Sequence, residues 1–168
     1  MELLERDLHL KGLAESLREA ATGDGRISLV YGEAGIGKTA LAEGFVAAHR
    51  AEARVLLGRC DALFTPQPLG PLHDIARQTN GPLLQLMQSA ADRFAIFGAV
   101  LRELQGAEKP TMLVFEDVHW ADAATLDLLK YLGRRVRNTA TLIVLTYRDD
   151  ELTGHHPCLL YTSDAADD

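Results

Sequence analysis

The chain has 168 residues, a 47% apolar and 24% charged composition, 17 basic against 24 acidic side chains, and two cysteines. Those fractions exclude a disordered tract, a collagen-like repeat and a disulfide scaffold, and the length suits one domain with a sizeable core. No apolar run approaches the ~20 residues of a membrane span. The charged N-terminus Met-Glu-Leu-Leu-Glu-Arg-Asp contains no apolar signal segment, and the formal charge of −7 argues against nucleic acid or an anionic membrane as a direct partner. The expectation is a cytoplasmic protein.

In chain order, Leu10, Leu13 and Leu17 recur at helical spacing and predict a helix over residues 3–21, broken by Thr22-Gly23-Asp24-Gly25. Ile27 to Tyr31 is a short apolar strand. A helix is expected from Ala40 towards His49, and a second strand over residues 54–57. Phe64 to Pro71 is rich in proline and reads as a loop. Helical pieces are expected over residues 72–78 and 83–105, with the division between them open. Thr111 to Phe115 is a third strand. A helix follows from Ala123 to Val136, with Asp122 as its N-cap and Leu126, Leu129 and Leu132 inward. Thr141 to Thr146 is a fourth strand. Apolar strands alternating with helices imply an α/β fold in three layers, a parallel sheet covered on both faces.

Between the first strand and its helix lies Gly32-Glu33-Ala34-Gly35-Ile36-Gly37-Lys38-Thr39, which fits G-x-x-x-x-G-K-[ST] at every specified position. A triphosphate is densely negative, and such a loop meets it with backbone N–H groups and the positive end of the following helix. Gly32, Gly35 and Gly37 let the backbone approach, and the amides from Gly35 and Ile36 through Ala40 form the cradle. Lys38 reaches the β- and γ-phosphates and the Thr39 hydroxyl ligates Mg²⁺. Strand before and helix after are the context this motif requires. The fold class is therefore a three-layer P-loop NTPase.

Hydrolysis also needs an acid near Mg²⁺ and a group that orients water. The third strand delivers Glu116 and Asp117 to its C-terminal end, the edge at which parallel sheets bind ligands. By spacing, Glu116 takes the metal side and Asp117 the water-activating side, with the reverse assignment open. Glutamate is one methylene longer than the usual aspartate, so its contact with the metal can run through water. His119 and Trp120 read as loop packing. Arg148 falls near the γ-phosphate if the fourth strand lies between the first and third; the alternative is a surface arginine paired with Asp149 or Asp150. Cys60 reads as a small buried residue.

With those residues in hand, residues 2–154 resemble the origin-recognition-like AAA ATPase domains of bacterial STAND regulators, the large LuxR-type transcriptional activators and their relatives. The resemblance rests on Leu4-Glu5-Arg6-Asp7, the Gly32–Thr39 loop, Gly58-Arg59-Cys60, and Pro68-Leu69-Gly70-Pro71-Leu72. It continues through Glu116-Asp117-Val118-His119-Trp120-Ala121-Asp122 and Thr146-Tyr147-Arg148-Asp149-Asp150-Glu151-Leu152. It implies an ASCE/AAA-like sheet in the order 5-1-4-3-2, of which this chain supplies four strands, and adenine as the base, near Glu5-Arg6-Asp7. It further implies a nucleotide-dependent switch using ATP and Mg²⁺, with neighbouring domains of a longer protein as partners and DNA a partner only of that parent. A continuously cycling oligomeric ATPase, a phosphotransferase and a hydrolysis-inactive nucleotide scaffold are the alternatives.

The final segment, Cys158 to Asp168, resembles a translated transposase sequencing adapter. On that reading the domain is residues 1–157, incomplete at its C-terminus, and residues 158–168 are a scar. Removing the scar takes away three carboxylates and no base, moving the formal charge from −7 to −4. The first strand is then an unpaired edge, and the chain is expected to be marginal or prone to aggregate.

Overall fold

The computed structural model describes residues 3–32, 38–62 and 67–148. The elements in order are α1 (Leu3–Ala21), β1 (Arg26–Gly32), α2 (Lys38–His49), β2 (Arg54–Arg59), α3 (Gly70–Thr79), α4 (Pro82–Gln88), α5 (Arg93–Gln105), β3 (Thr111–Glu116), α6 (Ala123–Gly133) and β4 (Thr141–Arg148). All strand pairs are parallel and the order is β1-β4-β3-β2. This matches the order expected for the four strands present.

β3 is buried at every position and β4 through Tyr147, which is why both read as continuous apolar runs. Side chains alternate between two cores. One face sends Leu56, Leu113, Phe115, Ile143 and Leu145 against helices α3 to α6; the other sends Val30, Met112, Val114, Leu142 and Val144 against α1 and α2. The sheet is the middle of three layers. Among the described residues no helix is long and apolar enough to cross a membrane.

α1 ends where expected, at Ala21, because Gly23, at φ 95°, takes the left-handed turn that follows it. The strands run longer than their apolar cores. β2 reaches Arg59 and β4 reaches Arg148, because ladder pairing continues through polar residues: Arg59 pairs with Glu116 and Arg148 with Gly32. The stretch 83–105 divides at Ser89–Asp92, where the Asp92 side chain accepts the Ala95 N–H at 2.9 Å and opens α5. Pro71 belongs to the first turn of α3 rather than to a loop, a position that needs no N–H. α6 stops at Gly133, and a separate 3-10 turn follows at Val136–Asn138. Its buried stripe is Ala124, Thr125, Leu128, Leu129 and Leu132; Leu126, expected inward, is only partly covered.

Candidate functional site

Because every strand is parallel, all four C-terminal ends lie along one edge of the sheet. The phosphate-loop sequence leaves β1 at Gly32 and rejoins the described chain at Lys38, where α2 begins and continues through Thr39 and Ala40. Gly35, Ile36 and Gly37 lie outside the described residues. The motif thus spans the interval between a strand's end and a helix's start.

β4 does lie between β1 and β3, the condition set for Arg148. Arg148 ends β4 opposite Gly32, the first residue of the loop motif. Its backbone N–H donates to Nδ1 of His119 at 3.2 Å. His119 sits in a 3-10 turn at Val118–Trp120, its ring 5.2 Å from that of Trp120, and so packs the loop as expected. Asp149 and Asp150, its alternative partners, lie outside the described residues, as does the segment through residue 168.

At the end of β3 the two acids differ sharply. Glu116 is only 3% exposed and is already engaged: Nε and Nη2 of Arg59 both donate to its Oε2, at 2.9 and 2.8 Å. Arg59 is half exposed, and its hydrogen bonds and charge attraction to Glu116 hold its guanidinium above the usual arginine pKa. The pair is therefore charged on the arginine side throughout the neutral range. Asp117 is only partly buried and adopts φ 58°, ψ 48°, left-handed backbone that a non-glycine residue occupies at a cost of about 1–3 kcal/mol. What holds it there is visible. Its N–H donates at 3.0 Å to the Thr146 hydroxyl of β4, and its carbonyl accepts the Trp120 N–H at 2.9 Å. The turn sends the chain away from the sheet directly after the acid pair.

Asp122 caps α6 as expected, accepting the Thr125 N–H at 3.2 Å; the same oxygen also takes the Leu69 N–H at 3.1 Å. One carboxylate therefore joins the loop after β3 to the entry of α3. Cys60 is buried.

Two contacts escaped the sequence. Arg59 could be named only as part of a matching segment, because its role depends on β2 lying beside β3 in a register that sets residue 59 against residue 116. Thr146 was visible as a strand end, but its hydroxyl's use as the acceptor for Asp117 was not.

Chemically, this edge brings together a helix start, two carboxylates and an arginine, one acid held by a guanidinium and the other presented on a strained turn. No curated protein matches the chain. Among solved structures, Cdc6p from Pyrobaculum aerophilum is similar with a TM-score of 0.65 at 16% identity, over 94% of this chain and 43% of that one. Drosophila ORC bound to DNA gives 0.55 at 14%, over 91% and 83%, and C. elegans PCH-2 gives 0.54 at 18%, over 99% and 42%. At such identities the likeness is one of fold, and the chain spans less than half the length of the Cdc6p chain. The family model of the AAA ATPase domain matches residues 2–145, and the chain belongs to that family.

Proposed function

We propose that this chain is an ATP·Mg²⁺-binding module that acts as a nucleotide-dependent switch in a bacterial signalling or transcriptional regulator of the STAND type, with residues 1–157 forming the domain. It hydrolyses slowly and changes its contacts with neighbouring domains when it does. The observation that carries this reading is the coincidence, on one sheet edge, of a complete G-x-x-x-x-G-K-T between β1 and α2 and an acid pair two strands away. Nucleotide binding, usually with Mg²⁺, is what membership of the family implies.

In this reading the amides around Gly32, Gly35, Ile36, Gly37, Lys38, Thr39 and Ala40 cradle the phosphates, and Lys38 neutralises the β- and γ-oxygens. Thr39 and Glu116 hold the metal. A hydroxyl and a carboxylate are the oxygen donors a hard cation prefers, so the residue types fit. When bound, the ion neutralises charge on the β- and γ-phosphate oxygens. Both hydrogen bonds from Arg59 end on Oε2 of Glu116, and no bond to its other oxygen is made among the described residues. Asp117 orients and deprotonates the attacking water. Arg148, opposite Gly32, senses the γ-phosphate. Direct nucleic-acid contact is not part of the proposal for this chain, whose net charge is −7; DNA is a partner only for a longer parent.

Calorimetry with Mg·ATP tests it. Wild type binds, Lys38→Ala abolishes the heat, and Asp117→Asn keeps binding while lowering hydrolysis by about 100-fold or more. Binding heat that Lys38→Ala leaves unchanged overturns the reading. Fast steady-state turnover would select the cycling ATPase instead, phosphate on an added acceptor the phosphotransferase, and binding without hydrolysis the scaffold.

A further inference from the structure

On the face opposite α1 and α2, an open groove of about 590 Å³ runs between α5 and α6. Phe94, on the first turn of α5, stands at its mouth with 80% of its surface exposed, more than any other large apolar side chain among the described residues. A single exposed apolar residue is ordinary. This one adjoins the half-buried Tyr131, which itself rests on the buried Phe97. Phe97 and Tyr131 line the same groove with ring centroids 5.5 Å apart, and the Arg135 guanidinium lies 3.9 Å over the Tyr131 ring.

The charge around the rings is inverted relative to the molecule. The groove carries four cations and two carboxylates, in a chain whose formal charge is −7. Both carboxylates are committed: Asp127 pairs with Arg93 at 3.1 Å, and Asp92 caps α5 by accepting the Ala95 N–H. Lys130 and Arg134, both exposed, make no ion pair among the described residues.

We propose that the α5–α6 groove is a docking site for an acidic peptide segment bearing an aromatic or aliphatic anchor. The anchor seats against Phe94 and Tyr131, and flanking carboxylates meet Lys130 and Arg134. Rings desolvated at the centre and cations at the rim are how such an interface divides its labour: the apolar contact supplies affinity and the charges supply steering and orientation. The other occupants fit less well. Duplex nucleic acid keeps its bases stacked inside the helix and so has no ring or side chain to seat in an aromatic groove. A second copy docking symmetrically would bring two basic rims face to face.

The proposal is independent of nucleotide binding, and so is its test. The probe is a short fluorescein-labelled peptide of alternating Glu and Leu with one central Trp, titrated by anisotropy with the full 168-residue chain. Saturable binding is expected, weakened at least about tenfold both by Phe94→Ser and by Lys130→Gln/Arg134→Gln, and weakened again by raised salt. Circular dichroism melts matching wild type show that the variants fold. Absent binding, or binding that Phe94→Ser leaves intact, overturns the proposal. So does displacement of the peptide by duplex DNA. Concentration-dependent sedimentation that Phe94→Ser abolishes, without peptide capture, would assign the groove to a second copy instead.

Discussion

A carboxylate with 3% exposure needs a partner, and Glu116 has one in Arg59. The pair is asymmetric: the acid is enclosed, the base is half in water. Removing the arginine therefore leaves a buried charge, and that loss outweighs what a surface ion pair contributes. Arg59→Met is expected to destabilise the chain by about 1–3 kcal/mol, towards the low end because water reaches the vacated site. Arg59→Lys restores part of it, since an ammonium keeps the charge but loses the planar fork. Arg59→Met/Glu116→Gln recovers most, because the orphaned charge is gone. Urea unfolding of the four proteins reads this directly, and an Arg59→Met as stable as wild type would show that the geometry contributes nothing. Glu116 itself was legible in the sequence, as an acid at the end of an apolar strand. Its guanidinium partner, 57 positions earlier, was not, because no local pattern records which strands are neighbours or in what register.

Among the elements, the helices whose apolar spacing is regular were legible to within a few residues, α1 to the residue at its C-terminal end. The weaker boundaries fell where a backbone device, not a side-chain period, decides. Asp92 divides a stretch that periodicity leaves continuous, and β2 outlasts its apolar run by the two residues Gly58 and Arg59. Gly58 shows why that extension matters. A Cβ there would lie 2.3 Å from the Pro71 carbonyl oxygen and 2.8 Å from its Cβ, so the end of β2 and the first turn of α3 touch backbone to backbone. Neither can yield as a flexible side chain would. Gly58→Ala is expected to cost about 1–3 kcal/mol. Gly12, mid-helix in α1, has nothing within 4 Å of the place a methyl group would take, and gives the opposite sign: Gly12→Ala should stabilise by about 0.5–1 kcal/mol. Thermal melts of the two alanine variants compare close approach with backbone entropy in one molecule. Equal shifts would mean that the β2–α3 contact is looser than its geometry.

For the molecule as a whole, strand alternation made the parallel sheet and its two covered faces legible, whereas the order β1-β4-β3-β2 came only through resemblance, since the alternating pattern fits several orders. That order leaves β2 and β1 as outer strands among the described residues, and an outer strand presents backbone groups on which another chain can pair. β2 is guarded. The Gln78 side chain accepts the Leu57 N–H at 2.9 Å and donates to the Leu57 carbonyl at 2.6 Å, so one amide stands in for a strand. β1 pairs with β4 on its one side, and wild type is accordingly expected to associate to some degree through β1. Gln78→Ala should add a second route. Because Gln78 is exposed, its loss costs the monomer only about 1 kcal/mol, so the melting temperature moves little while association rises. Sedimentation velocity over a concentration series separates the two effects. A Gln78→Ala series that overlays wild type would remove the guarding role, and a reversible, cooperative melt of strictly monomeric wild type would show that the β1 edge is harmless too. Either outcome is distinct from peptide capture in the α5–α6 groove, which depends on Phe94 and leaves both strand edges untouched.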